Sequence, residues 1–293
     1  MIKAGLKPLV PDSRDFTMGA LYPKLPLPEH DFVVATPLEI KDQGDSDFCT
    51  AFATTAVSED QEMNILSPEY QFAKTKQLLG DPTAWGADLR TACKSAVVFG
   101  SLSKSFSPYS LEKNGREFTA NWLNWEKTLD AWASLHKKQS YVAVTGWYDL
   151  FDDIRSTMWH FRNERRSVVT GCLWRFEWNQ NAVISKEYST DGVPHAFKIF
   201  GQKTIDGVPH LVAQLSNGKE IGDQGLFYFP REVVNKEFTF GTFTFIDLPR
   251  ETAEWRINNG TKITDNWIMT LYKVAKSKLL AYKREFYFLL RTV

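Results

Sequence analysis

The sequence is poor in cysteine, has no long apolar run and carries no excess of either charge. Its three cysteines, Cys49, Cys93 and Cys172, are too few and too widely spread for a disulfide framework or a paired zinc site. Free thiols in a reducing compartment are expected. No segment reaches the roughly 18 consecutive apolar residues of a spanning helix. The opening stretch, MIKAGLKPLVPDSRDF, lacks the apolar core of a secretory signal. Lys plus Arg and Asp plus Glu stand at 35 each, so the general electrostatic footprint of a nucleic-acid binder is missing. P-loop, HExxH, paired CxxC and dinucleotide glycine fingerprints are missing too. No cofactor and no metal are expected, and the expected location is the cytoplasm or a virus particle.

What is present is ordinary for a globular chain. A hydrophobic share of 43% in 293 residues argues against disorder and suffices for one large domain or two modest ones. Residues 1–40 hold six prolines and read as an extended arm on the body. From Cys49 the period turns helical, with Phe52, Ala53, Ala56 and Val57 on one face and Ser58, Glu59 and Asp60 mostly on the other. The carboxylate pairs Glu59-Asp60 and Asp152-Asp153 read as solvated faces. Ser67 and Pro68 open a second helix as N-cap and first residue. A third runs over 86–100, with Leu89, Ala92, Cys93, Ala96 and Val97 as its buried stripe.

Residues 119–164 read as mainly helical. The stretches 167–178, 195–202, 210–216 and 225–230 read as strands between turns. A helical half before a β half implies an α+β chain of two lobes. The domain reading is arm 1–40, main domain 41–250 (helical lobe 41–118, β lobe with a helical insert 119–250) and a C-terminal helical appendage 251–293. The appendage has three readings. It packs on its own body, it binds a partner or a second copy of the chain through its aromatics, or it lies on an anionic membrane. The first is favoured and the membrane least.

Cys49 is the first chemically suggestive residue. A helix N-terminus favours negative charge, so a thiol there ionises more easily, and the thiolate is the nucleophile. The bland alternative is a buried small hydrophobe. Cys93 and Cys172 take that alternative, one on a helix stripe and one in an apolar strand.

The segment DQGDSDFCTAFA (42–53) resembles the active-site segment of papain-like cysteine peptidases of the C1 family, in their bacterial and phage-type branch. PDSRDF, LSPEYQFAK, GADLRTACKSAVVFG and GDQGLFYFPREVV follow in the order of that family's elements, over residues 10–250. The resemblance implies a papain-like two-lobe fold, with a helical left lobe and an antiparallel β-barrel-like right lobe. It implies hydrolysis of a protein or peptide substrate through an acyl-enzyme. Cys49 would be the nucleophile, and Gln43, six residues earlier, an oxyanion donor. His195 would be the base, 146 residues after the cysteine and inside the family's span of about 130–150. His210 competes with it and is read as a structural strand residue. Gly86 would flank the substrate cleft.

The sequence departs from the pattern at three places. The orienting asparagine position falls, without gaps, on Leu215, and Asn217 fills it only with a two-residue deletion. Asp47 and Phe48 stand where the family has Gly-Ser, so both are expected at the substrate-binding cleft. There Asp47 would obstruct or change the approach of substrate, and its charge would raise the thiol pKa. Only 48 residues precede Cys49, fewer than a long inhibitory pro-segment needs, so an enzyme made active or controlled from elsewhere is expected. The arm could itself cross the cleft. The rival reading is a papain-fold structural or binding component with weak or no catalysis, part of a larger assembly such as a virus particle. A third is Cys-His acyl transfer or amide hydrolysis on a non-peptide substrate.

Overall fold

The computed structural model describes residues 5–108, 110 and 127–246. The appendage 251–293, and with it the proposed C-terminal helix, lies outside the described residues. Among those described, no helix is long and apolar enough to cross a membrane.

The arm is mostly extended, with one short helix, α1 (Met18–Leu21). It is also built into the body, because β1 (Phe32–Val33) pairs antiparallel with β4 at Gln202 and Gly201. The helical lobe follows as α2 (Cys49–Glu62), α3 (Pro68–Leu79) and α4 (Leu89–Val98). The Ser67 hydroxyl accepts from the Tyr70 N–H, with Pro68 in the first turn. Asp88 caps α4 in the same way through Thr91.

α2 is buried along its length from Cys49 to Asp60. The expectation of a solvated Glu59-Asp60 face is therefore corrected: Glu59 pairs with Lys41 and Asp60 with Lys198, all four buried. Asp152 and Asp153 are buried as well. Asp152 binds Arg155 and Arg231, and Asp153 accepts the N–H groups of Gly146, Trp147 and Tyr148. In each case a partner supplied from far along the chain, or by a turn, replaces the water that periodicity alone would assign.

The tract 119–164 is only partly helical. α5 (Lys127–Ala133) and α6 (Leu150–His160) flank a strand, β2 (Ser140–Ala143). The β lobe adds β3 (Val168–Arg175), β4 (Gly192–Ile205), β5 (Val208–Gln214), β6 (Leu226–Pro230), α7 (Arg231–Glu237) and β7 (Thr242–Ile246). The seven strands form one antiparallel sheet in the order β2-β7-β3-β4-β5-β6, with β1 on β4. Asp206 and Gly207 turn β4 into β5, as the Asp-Gly pair predicts.

β4 spans both lobes' needs because side chains alternate along a strand. Phe197 and Ile199 point into the β-lobe core with Trp174, Phe227 and Phe229. Ala196 points the other way, into a second cluster with Cys49, Ala53, Val57 and Cys93. That cluster is the seam where α2 meets the sheet.

Candidate active site

α2 starts at Cys49 with Phe48 as N-cap, and no side chain accepts from its first-turn N–H groups. Those donors face the cysteine end of the helix. The Phe48 ring turns into the helical-lobe core and stacks on Phe72 with centroids 3.9 Å apart. The expectation that Phe48 lines the cleft is corrected: its side chain anchors the start of α2 from beneath.

β4 delivers the histidine. The Ala196 N–H points at the Cys49 sulfur, which sets His195 one residue away. His195 is buried, opposite Cys172 in the β3–β4 register, and its ring meets the edge of Trp174 at 6.2 Å. His210, on β5, places Nδ1 2.9 Å from the Val208 carbonyl, a strand-end contact. Cys93 and Cys172 are buried free thiols in apolar clusters.

Gln43 lies beside this seam, buried. Ser216 holds it twice: the Gln43 N–H donates to the Ser216 carbonyl at 2.8 Å, and the Ser216 hydroxyl donates to Oε1 at 2.6 Å. Nε2 donates one proton to the Ser46 carbonyl at 2.8 Å, and an amide carries a second. Ser216 was not singled out in the sequence. The signal was available: the ungapped reading that puts Leu215 on the asparagine puts Ser216 on the serine after it.

Leu215 is buried and lines a small cavity with Ala196, Phe197, Phe52 and Ala53. Asn217 bridges Asp42, and the next residue, Gly218, donates its N–H to the Lys41 carbonyl at 3.1 Å. The Asn217 Oδ1 is buried with no hydrogen-bond partner among the described residues.

The chain's own arm lies across the seam beside Cys49. The Ala87 N–H donates to the Gly5 carbonyl at 2.8 Å, and the Lys7 N–H donates to the Ala87 carbonyl at 2.9 Å. Leu6 runs parallel to Ala87 and is buried in the seam cluster, its Cδ2 filling the space that a side chain on Gly171 would take. Gly5 is squeezed hard: a Cβ there would come 2.0 Å from the Asp47 carbonyl oxygen. Gly86, at φ +62°, is squeezed from the other side, where a Cβ would come 2.1 Å from the Gly5 carbonyl oxygen. Gly86, the glycine expected to flank a cleft, therefore packs against the arm, but the residue that pairs with the arm is Ala87. A main-chain role leaves little trace in side-chain identity, so sequence reasoning passed over it.

Asp47 does not project into the cleft. Its carboxylate is buried and accepts the Gly86 N–H. The expectation that it obstructs substrate is corrected on that account. Its charge does act on the Cys49 thiol. Burial, first, pushes the Cys49 thiol up to about 12; the N–H groups of Ala196 and Gly5 oppose this, Asp47 adds to it, and the Thr50 N–H opposes it. With the arm in place the thiol is protonated at neutral pH.

A helical lobe packed in this way on an antiparallel sheet is an arrangement found in solved structures. Xylellain, a cysteine protease from Xylella fastidiosa, superposes with a TM-score of 0.68 at 19% identity, over 84% of this chain and 96% of that one. The fold is that of the papain-like cysteine proteases. Digestive procathepsin L 3 from the larval midgut of Tenebrio molitor matches with a TM-score of 0.58 at 15% identity, over 79% and 74% of the two chains. Procathepsin B S9 from Trypanosoma congolense matches with a TM-score of 0.58 at 16% identity, over 84% and 86%. No family model matches the sequence, and no curated protein matches it. The papain-like architecture is thus carried by the backbone, at identities too low for more than the fold.

Proposed function

We propose that the chain is a papain-like cysteine peptidase, held latent by its own residues 5–9. The observation that carries this reading is the peptide already in the cleft. Gly5, Leu6 and Lys7 lie there as an extended segment, bound through main-chain N–H and C=O groups to Ala87, beside the thiol. A groove that binds one extended peptide by its backbone is suited to binding others.

In the proposed reaction His195 takes the Cys49 proton, and the thiolate attacks a substrate carbonyl carbon. The oxyanion accepts from the Cys49 N–H and from the second Nε2 proton of Gln43. The C–N bond breaks as His195 returns the proton to the leaving amine, and water then hydrolyses the thioester with His195 as base. The Gly5 N–H of the arm points at the Cys49 sulfur. The reading assigns no step to Asn217, and Asn217→Ala measures whether it orients the imidazole.

The test is to dislodge the arm. A β-branched side chain at position 5 cannot fit within 2.0 Å of the Asp47 carbonyl. Gly5→Val is expected to raise the rate of Cys49 alkylation by iodoacetamide by about tenfold or more, since reactivity follows the fraction of open molecules. Peptide hydrolysis should appear with it and vanish in Cys49→Ala. The rival reading, a papain-fold binding component, is favoured by the sealed thiol. It predicts faster labelling in Gly5→Val without any hydrolysis across a fluorogenic peptide library.

A further inference from the structure

The cleft wall is held from behind by two buried charges. Lys76, on α3, is completely buried; its Nζ donates to the carbonyls of Ala84 and Gly86 and lies 4.9 Å from the Phe72 ring centre. Asp47, also completely buried, accepts the Gly86 N–H. One residue, Gly86, is thus gripped at its C=O by an ammonium and at its N–H by a carboxylate. Burying either charge is costly unless it finds such partners.

The grip has a direction. In a trans peptide unit the C=O and the next N–H point opposite ways. Lys76 draws the Gly86 carbonyl inward, so the Ala87 N–H on the same unit points outward, to the Gly5 carbonyl at 2.8 Å. Hydrogen bonding of the carbonyl to a cation also polarises that unit and strengthens its N–H as a donor. Asp47 fixes the preceding unit. The +62° φ of Gly86 joins the two.

We propose that Lys76 and Asp47 are positioning residues for peptide recognition, clamping the two peptide units of Gly86 so that Ala87 presents its N–H to whatever extended chain enters the cleft. The proposal rests on the reading of the cleft as a peptide site but not on catalysis, and it touches no reacting atom.

Binding therefore tests it independently of activity. A synthetic peptide of residues 1–10 is titrated in trans into the Gly5→Val chain, and its affinity is followed by fluorescence anisotropy. Lys76→Met and Asp47→Ala are each expected to weaken binding about tenfold, the scale of a hydrogen bond to a charged group. Asp47→Asn keeps an acceptor oxygen and should restore affinity to within about threefold. Thermal melting of each variant identifies those that fold, and the Asp47 pair keeps the test intact if Lys76→Met does not. A purely structural role would lower the melting temperature of Asp47→Ala and Asp47→Asn without separating their affinities. The proposal is overturned if the folded variants bind as tightly as the parent, if Asn fails to rescue, or if the peptide does not bind the parent at all.

Discussion

In a chain whose arm is displaced by Gly5→Val, replacing His195 by alanine is expected to lower kcat/KM for peptide hydrolysis by about a thousandfold, the middle of the range for loss of a positioned general base. The physical reason is the thiol's surroundings. Burial and the Asp47 charge both favour the protonated form of Cys49, and the main-chain N–H groups only partly oppose them. Something must take the proton, and β4 brings His195 to the residue beside the one that already touches the sulfur. Because His195 is buried beside Trp174, alanine leaves a cavity. His195→Gln, nearer in volume, should show the same kinetic loss at a smaller cost in stability. Steady-state assays with a fluorogenic peptide check both variants, with circular dichroism to verify the fold.

The second large effect is on stability. Lys198 and Asp60 meet at 3.0 Å, both about 2% exposed or less, and join the strand that carries His195 to the helix that carries Cys49. Burial pulls the Lys198 pKa down and pushes the Asp60 pKa up, so neither charge would be tolerated alone. Lys198→Met or Asp60→Leu alone is expected to cost roughly 3–5 kcal/mol, because the remaining charge stays buried without its partner. At this chain length that is a fall of about 5–8 °C in Tm. The double variant Lys198→Met/Asp60→Leu should recover most of the loss, since apolar residues of similar volume replace a buried pair at little net cost. Thermal denaturation of all four chains completes the cycle. Additive losses would mean that the two side chains act independently.

Much of this arrangement could be read from the residues. The apolar stripe after Cys49 announced α2, and the Ser67-Pro68 pair announced α3. The alternating runs around His195 and His210 announced β4 and β5. β2 and β7 were missed for the same reason. β2 has four residues and β7 five, and they pair with each other across more than a hundred residues of chain. Short segments of this kind are stabilised by partners rather than by their own pattern. The buried state of Glu59 and Asp60 was missed because the partners, Lys41 and Lys198, come from other elements. In the candidate site, Cys49, His195 and Gln43 were singled out as side-chain types at set spacings, and the structure places Gln43 and Cys49 near the strand of His195. Ala87 was not, because it acts through its backbone. The packing of residues 5–7 against Ala87 was foreseen only as an arm able to cross the cleft. Gly5 becomes distinctive only when Asp47 and Gly86 close on it from either side.

The central claim is that displacing the arm leaves a Cys49 thiolate sustained by His195. The most direct measurement is the pH dependence of Cys49 alkylation in the Gly5→Val chain, with the label located by mass spectrometry and His195→Ala as the comparison. The account predicts fast labelling that persists to about pH 6 or below, as for a thiolate paired with an imidazolium, and a profile that returns toward the ordinary thiol pKa of about 8.5 once His195 is removed. A Cys49 that labels with the same ordinary profile in both folded chains would contradict it.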